Sequence, residues 1–400
     1  MAVTCPGRCR GRSRYRAPVA GRGQGQAAAG LSRAGLAVRS CGRPGKSNSI
    51  RVGAGRLMRV RPGVAVDLGT VNTRVSVGGE VVDEPSAIAV HRRTAAIEGV
   101  GTDADALAGK DPVDIEIIHP VRDGVVADFD AAVAMLQAFV RRVRVPRTLA
   151  RPLAVVCVPG GATSLERRSL AAAMTAALPR SVLQFVDKSV AAAAGAGLNP
   201  APGSGAVVVD IGGGTTEVAV LAGGHVVRSR SLRLGGNTMD HAITQAVRTE
   251  LGLLVGRDAA RKLKMTLGLG EHAAQEAEAA GVDAGRQTPR VELVPARLVA
   301  AALQHSVTAI TSAVSELLAD IPPNLAEDVV RGKIRLAGGG ALLPGLARRI
   351  EAAADIPAYV VDDPMRSVIR GATGILHDGY AMAGRQPAGL AAAAARAAAG

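Results

Sequence analysis

One segment of this chain occurs twice, and the repeat constrains the fold more than any other sequence feature. Val64–Val77 is matched by Val207–Val220: in each copy three apolar residues lead to Asp, an apolar residue and Gly, then to a polar turn with Thr and alternating valines. A Gly-Gly pair follows each copy, at Gly78–Gly79 and Gly223–Gly224. Two copies are too few for a solenoid. The repeat therefore predicts a duplicated fold whose two similar halves face each other across a cleft.

Each copy predicts a strand, a tight turn and a return strand. Glycine leaves the backbone of the turn bare, so several N–H groups can point at one anion such as a phosphate. Threonine hydroxyls, among them that of Thr215, add further donors. Asp67 and Asp210 end the first strands, and carboxylates there suit Mg²⁺ held through water. We therefore expect the two turns to hold a polyphosphate and its metal ion from both sides.

A third glycine-rich element lies at Ile334–Leu346, where a predicted strand runs into three glycines and then a helix. Such a turn lets a flat base or a ribose approach the backbone closely. Between these elements strand and helix signals alternate, as in the helix predicted over Phe129–Val143 and the buried strand predicted over Leu153–Val158. This alternation predicts α/β layers.

The net charge of +14 belongs to one end of the chain. Residues 1–66 hold fourteen Lys and Arg and no Asp or Glu, which leaves basic and acidic residues equal in number elsewhere. Together with 2% aromatic residues, this argues against a specific nucleic-acid partner. Residues 1–57 are predicted to be a disordered basic tail, or the product of a start assigned upstream of Met58. A basic arm for anionic lipid or nucleic acid is the functional alternative.

The other end, residues 377–400, is predicted to be an alanine-rich tail. Three of the four cysteines lie in the basic tail, and Cys157 stands alone in an apolar run. We expect a buried thiol there, no disulfide framework and a reducing, cytoplasmic setting.

Together the three glycine-rich elements resemble the superfamily of actin, heat-shock chaperone and sugar-kinase ATPases. Within it the chain is similar to the MreB family of bacterial actins. The motifs that carry the resemblance run in the family's order along most of the chain: Asp67–Thr73, Asp83–Ser86, His119–Phe129, Asp210–Val220, Leu234–Asn237, Pro322–Ala326 and Gly338–Leu343.

This resemblance implies an actin-like α/β fold with ATP and Mg²⁺ in a central cleft. Each of two lobes, residues 58–187 and 188–376, would have a ribonuclease-H-like core and a smaller subdomain. The phosphates and metal would contact Asp67, Gly69, Thr70, Val71, Asn72, Asp210, Gly212, Gly213 and Gly214. The adenosine part would contact Arg261, Lys262, Leu263, Lys264, Gly339, Gly340, Ala341 and Leu342.

At one catalytic position the chain departs from the family. Where MreB proteins have Glu-Glu-Pro, with the second glutamate thought to position the attacking water, this chain has Asp187, Lys188 and Ser189. A lysine ammonium has three donors and no acceptor, so it cannot orient water as a carboxylate does. Hydrolysis could be slow or lost, with Lys188 paired to the γ-phosphate. Asp187 could take the role, or Thr215 and Asp210 could hold the water.

The favoured hypothesis is a cytoskeletal protein that binds Mg-ATP. It would form membrane-associated filaments, in the cytoplasm at the inner face of the cell membrane, and organise cell-wall synthesis and cell shape. Its partners would be further copies of itself, the membrane surface and wall-synthesis proteins. The alternative is a non-polymerising chaperone-type ATPase or a small-molecule kinase on the same fold. The short chain after the ATPase body and the lack of an evident catalytic base beside the first turn favour the filament.

Overall fold

Two five-stranded sheets organise the computed structural model, which describes residues 63–110, 113–145, 151–198, 205–270 and 274–378. The predicted basic tail and nearly all of the predicted alanine-rich tail lie outside the described residues.

The elements up to residue 195 form the first sheet, a smaller three-stranded sheet and their helices. In chain order they are β1 (Gly63–Leu68), β2 (Asn72–Val77), β3 (Glu80–Pro85), β4 (Ile88–His91), β5 (Ile97–Val100), α1 (Thr102–Asp105), β6 (Ile115–Ile118), β7 (Val121–Arg122), β8 (Val125–Val126), α2 (Phe129–Arg142), β9 (Leu153–Val158), α3 (Ser164–Ala177), β10 (Val182–Asp187) and α4 (Lys188–Gly195).

The elements from residue 205 form the second sheet, another three-stranded sheet and their helices. They are β11 (Gly205–Ile211), β12 (Thr216–Ala222), β13 (His225–Leu232), α5 (Gly236–Leu251), β14 (Leu253–Leu254), α6 (Arg257–Leu267), β15 (Glu276–Asp283), β16 (Pro289–Pro295), α7 (Ala296–Ala319), α8 (Pro323–Gly332), β17 (Ile334–Ala337), α9 (Leu346–Ala354), β18 (Ala358–Val360) and α10 (Ser367–Asp378), with 3₁₀ turns at Gly339–Leu342 and Pro364–Arg366.

Both five-stranded sheets have the same topology. The first has the order β3-β2-β1-β9-β10 and the second β13-β12-β11-β17-β18. In each, three antiparallel strands come first and two parallel strands follow. The repeated segments form equivalent hairpins, β1–β2 and β11–β12, which confirms the prediction of a duplicated fold.

Each sheet has its own apolar core, built mainly from Val, Leu, Ala and Ile. Helices α2 and α3 cover the first sheet, with Met135, Phe139 and Met174 fully buried. Helix α7 is long and apolar enough to cross a membrane by length and composition alone. Its Leu303, Ile310 and other apolar side chains are nevertheless buried against the second sheet, as in a core helix.

Helices α4 and α10 pack closely against each other and share an apolar cluster with strands of both sheets. A Cβ on Gly195 would overlap the Ser367 carbonyl, and one on Gly371 would overlap the Ala191 carbonyl. Glycine is therefore required for this spacing. The same cluster buries Cys157 as a free thiol, as predicted. Because α4 begins directly after β10, this packing fixes Lys188, its first residue.

Candidate functional site

The two repeated turns face each other and line a cavity of about 330 Å³. Most of the predicted site residues meet there: Asp67, Gly69, Thr70, Val71, Asn72, Lys188, Asp210, Gly212, Gly213, Gly214, Thr215, Arg261, Lys264, Gly339, Gly340 and Leu342.

Four predicted residues do not line the cavity. On helix α6, Arg261 and Lys264 are three positions apart and share the face toward it, so the residues between them point elsewhere. Lys262 is exposed and Leu263 is buried in the second core, as is Ala341. Asp187 instead forms an ion pair with Arg167, with 3.2 Å between the carboxylate Oδ1 and Nη2.

The two turns approach so closely that side chains are excluded between them. A Cβ on Gly213 would overlap the Val71 side chain, and one on Gly214 would lie 2.6 Å from the Thr70 hydroxyl oxygen. That hydroxyl also accepts a hydrogen bond of 2.9 Å from the Gly124 N–H. The glycines of the second turn are thus needed for contact with the first turn.

Hydrogen bonds orient the backbone of the second turn. The carbonyls of Gly212 and Gly213 accept from the Gly236 and Asn237 N–H groups at the start of α5, at 2.9 and 2.8 Å. The N–H groups of Gly213 and Gly214 donate no hydrogen bond in the described part of the chain. With the carbonyls tied to α5, these donors are available to an anion in the cavity.

A line of alternating charges runs through the first turn. Asp67 and Arg74 are cross-strand partners, with 3.6 Å between Oδ2 and Nη1. Arg74 also lies beside Asp83, with 3.1 Å between Nε and Oδ2. Asp83 further accepts from the Asn72 amide at 2.9 Å and faces Arg366 at 3.2 Å. Burial opposes ionisation of Asp83, but Arg74 and these hydrogen bonds hold its pKa below the ordinary value.

Lys188 completes this line from the other side. Its Nζ lies 2.9 Å from Asp67 Oδ1 and donates to the Leu68 carbonyl at 3.0 Å. Burial alone would lower the pKa of Lys188, but the Asp67 carboxylate raises it above the ordinary value. The ammonium is therefore charged and bound to the carboxylate that the sequence assigned to Mg²⁺.

The second turn has a different charge pattern. Asp210 pairs across the strands with Glu217, so two buried carboxylates lie side by side. Burial raises the pKa of Asp210 to about 6, and Lys188 only partly offsets this. Burial, with the charge of Asp210, raises the pKa of Glu217 to about 8. Glu217 accepts a hydrogen bond of 3.1 Å from the Gly160 N–H, whereas the Asp210 carboxylate has no hydrogen bond or ion pair to any described residue.

The other end of the cavity is more apolar. Met265, Leu342 and Met365 line it with side chains between 39% and 46% exposed, although large apolar side chains are normally covered. Beside them Lys264 is bound to Asp240, with 2.7 Å between Nζ and Oδ1, and donates to the Gly236 carbonyl at 2.9 Å. This end can accept a flat apolar group, while the glycine turns can accept an anion.

Sequence reasoning missed Arg74, Asp240, Met265 and Met365 among the cavity residues. One signal was present: Arg74 and Glu217 hold the same position in the two copies of the repeat, and each is the charged residue of its strand. Cross-strand pairing with the two aspartates follows from the hairpin. The methionines gave no such signal, because their exposure depends on the packing of distant elements.

Two sheets of equal topology, each ending in an Asp-Gly turn at a shared cavity, define an actin-like fold of the ATPase superfamily to which actin belongs. A family model described as "MreB/Mbl protein" matches residues 61–383. The chain belongs to the MreB/Mbl family of cell shape-determining cytoskeletal proteins, which confirms the resemblance drawn from the motifs.

Relatives and solved structures agree with this assignment. The chain is 39% identical over 318 residues to the cell shape-determining protein MreB of Escherichia coli K12, covering 77% of this chain and 91% of that protein. It is 34% identical over 319 residues to Mbl of Bacillus subtilis 168, covering 79% and 95%. MreB5 of Spiroplasma citri bound to AMPPNP superimposes with a TM-score of 0.73 at 30% identity, covering 79% and 96%. The same protein bound to ADP gives 0.74 at 31% identity.

Proposed function

We propose that this protein binds ATP between the two turns and assembles into filaments at the inner face of the cell membrane, where it organises wall synthesis. The observation that carries the proposal is the cavity itself, in which two glycine turns and a half-exposed apolar end are brought together. Adenine nucleotides occupy a chain of the same fold in S. citri MreB5.

In this proposal the turns hold the phosphates and the apolar end holds the adenosine. The free N–H groups of Gly213 and Gly214 face the β- and γ-phosphates from one side, and Thr70 faces them from the other. Gly339 and Gly340 lack side chains, so a ribose or base can lie against their backbone. Arg261 and Lys264 lie on the helix face toward the adenosine.

The two aspartates fit a divalent metal unequally. Asp210 fits, because its buried carboxylate has no ion pair to any described residue and can accept hydrogen bonds from the water ligands of Mg²⁺. Asp67 does not fit, since Lys188 lies 2.9 Å and Arg74 3.6 Å from its two oxygens. A bound Mg²⁺ would neutralise charge on the phosphates, and among the described carboxylates that line the cavity Asp210 is the one without an ion pair that could hold it.

Slow hydrolysis forms part of the proposal. Lys188 cannot accept a hydrogen bond from the attacking water, and Asp187 is paired with Arg167 outside the cavity. Asp210 and Thr215 remain as groups that could contact the water. We infer that the nucleotide acts chiefly as a binding switch for lobe closure and subunit contact.

A single-turnover ATPase assay on wild type and Lys188→Glu tests this part. We expect the glutamate to raise the rate by about 10²-fold, the ordinary contribution of a positioned general base. Lys188→Gln is the matched control, because it removes the charge but supplies no carboxylate. A wild-type rate equal to that of Lys188→Glu would contradict slow hydrolysis.

Sedimentation and electron microscopy test the polymer. Head-to-tail contacts that do not close produce filaments, so we expect pelletable polymers with ATP and Mg²⁺ and enrichment on anionic liposomes. A protein that stays monomeric at high concentration, with and without lipid, would favour the chaperone-type or kinase alternative.

A further inference from the structure

The Asp67 carboxylate is already occupied on both oxygens. Lys188 Nζ lies 2.9 Å from Oδ1 and Arg74 Nη1 lies 3.6 Å from Oδ2. All three side chains are less than a tenth exposed, so these contacts are shielded from water and salt. A divalent cation could bind Asp67 only by displacing a fixed buried cation.

Lys188 and Arg74 also line the cavity between the turns. The Lys188 ammonium has three donors: one donates to the Leu68 carbonyl, and Asp67 Oδ1 lies 2.9 Å from Nζ as its ion-pair partner. The contacts in the described part of the chain thus leave one donor for a group in the cavity. The loop after Asp67 brings Gly69 and Thr70 to the same wall.

The net charge of the site also favours binding of an anion without a metal ion. Among the described residues that line the cavity, four cations (Arg74, Lys188, Arg261 and Lys264) face three carboxylates (Asp67, Asp210 and Asp240), a net of one positive charge, and two of the cations lie at the first turn. A first turn with Asp67 alone would be negative and would repel phosphates until a metal arrived. In this chain the turn is positive before any ion enters.

We propose that Lys188, supported by Arg74, takes the place of the divalent cation toward the nucleotide phosphates, so that ATP binds without Mg²⁺. This inference rests on the proposed function, since it concerns a nucleotide in the same cavity. It goes further in stating that metal and nucleotide binding are uncoupled, whatever the rate of hydrolysis. If Lys188 serves only to neutralise Asp67, nucleotide affinity will still depend on the metal.

The experiment measures the affinity of the full chain for AMPPNP by calorimetry, once in excess Mg²⁺ and once in EDTA. For wild type we expect the Kd in the two buffers to differ by no more than about threefold, less than one ordinary hydrogen bond. For Lys188→Met we expect a Kd at least about tenfold weaker in EDTA than in Mg²⁺, because the phosphates then lack both cations.

Lys264→Met is the matched control, since Lys264 is also a buried lysine bound to a buried aspartate. We expect it to weaken binding by the same factor in both buffers, because it lies at the adenosine end. Lys188→Arg should keep the metal independence, since it keeps a cation at this position.

A wild-type Kd that rises tenfold or more in EDTA overturns the inference and leaves the proposed function standing. Equal Kd values of Lys188→Met in the two buffers also overturn it, because another group would then supply the charge. Loss of wild-type binding in both buffers, in a protein that still unfolds cooperatively, overturns the proposed function as well. The wild-type comparison decides even if Lys188→Met does not fold.

Discussion

The two repeated turns share a backbone and differ in charge. Both hairpins place an aspartate at the end of the first strand and a charged residue directly opposite on the second. Opposite Asp67 is Arg74, and opposite Asp210 is Glu217. Lys188 adds a second cation to the first turn, whereas the second turn keeps two carboxylates with raised pKa values.

This difference shows which properties the duplication determines. Glycines, apolar strand residues and register give both halves the same hairpin, because those features depend on sterics and burial. The charges beside the aspartates do not depend on the hairpin geometry. One side chain on each second strand, Arg74 or Glu217, determines their sign. The Asp67 carboxylate of the first turn is more than balanced by cations of the protein itself. The buried carboxylates of the second turn are stabilised only when a metal ion or a proton binds them.

The largest expected effect comes from removing the carboxylate of the first turn. Asp67→Asn leaves Lys188 and Arg74 as buried cations without their shared partner, which we expect to cost about 3–5 kcal/mol of unfolding free energy. Urea unfolding without nucleotide measures it. Asp210→Asn, the same substitution in the other turn, should cost little or stabilise, because it removes a buried carboxylate that has no ion pair to any described residue. Equal losses in both variants would contradict the comparison.

The sequence was sufficient for the fold and for most of the cavity. The repeat predicted the two hairpins, and the glycine motifs predicted the turns that meet, since such motifs are local and sterically strict. The ion pair between Lys188 and Asp67 was not predicted. It joins residues 67 and 188, which are 121 positions apart in the sequence, and the packing of α4 against α10 determines where the lysine points. The sequence motif predicted four consecutive cavity residues on α6, Arg261–Lys264, because a motif does not show which side chains share a helix face. In the structure Arg261 and Lys264 line the cavity, and Lys262 and Leu263 do not.

A second prediction concerns the pH dependence of stability without nucleotide or metal. The pKa of Glu217 is raised from 4.5 to about 8, so its protonated form favours the folded state. That stabilisation is complete below pH 4.5 and is lost as the pH rises through about 8. Asp210 adds a smaller loss as the pH rises through about 6. We expect unfolding free energy to fall by about 5 kcal/mol between pH 5 and pH 8.5, most of it from Glu217.

Glu217→Gln tests the source of this slope, since the amide oxygen can still accept from the Gly160 N–H. We expect a clearly shallower pH dependence, with the part that belongs to Asp210 remaining. Glu250→Gln, an exposed position on α5, is the control and should keep the wild-type slope. Equal slopes for Glu217→Gln and wild type would show that the two buried carboxylates are not the cause.

The smallest effect on unfolding free energy is expected for the exposed ion pair between Arg366 and Asp83, beside the first turn. Arg366 precedes α10 and contacts Asp83 at 3.2 Å, but its side chain is 54% exposed. Water and salt weaken such a pair, so Arg366→Ala should cost only about 0.2–1 kcal/mol of unfolding free energy and less at high salt. A double-mutant cycle with Asp83→Asn isolates the pair from other effects of each change. A coupling as large as the Asp67→Asn effect would mean that the outer pair, rather than the buried cations at Asp67, holds the first turn together.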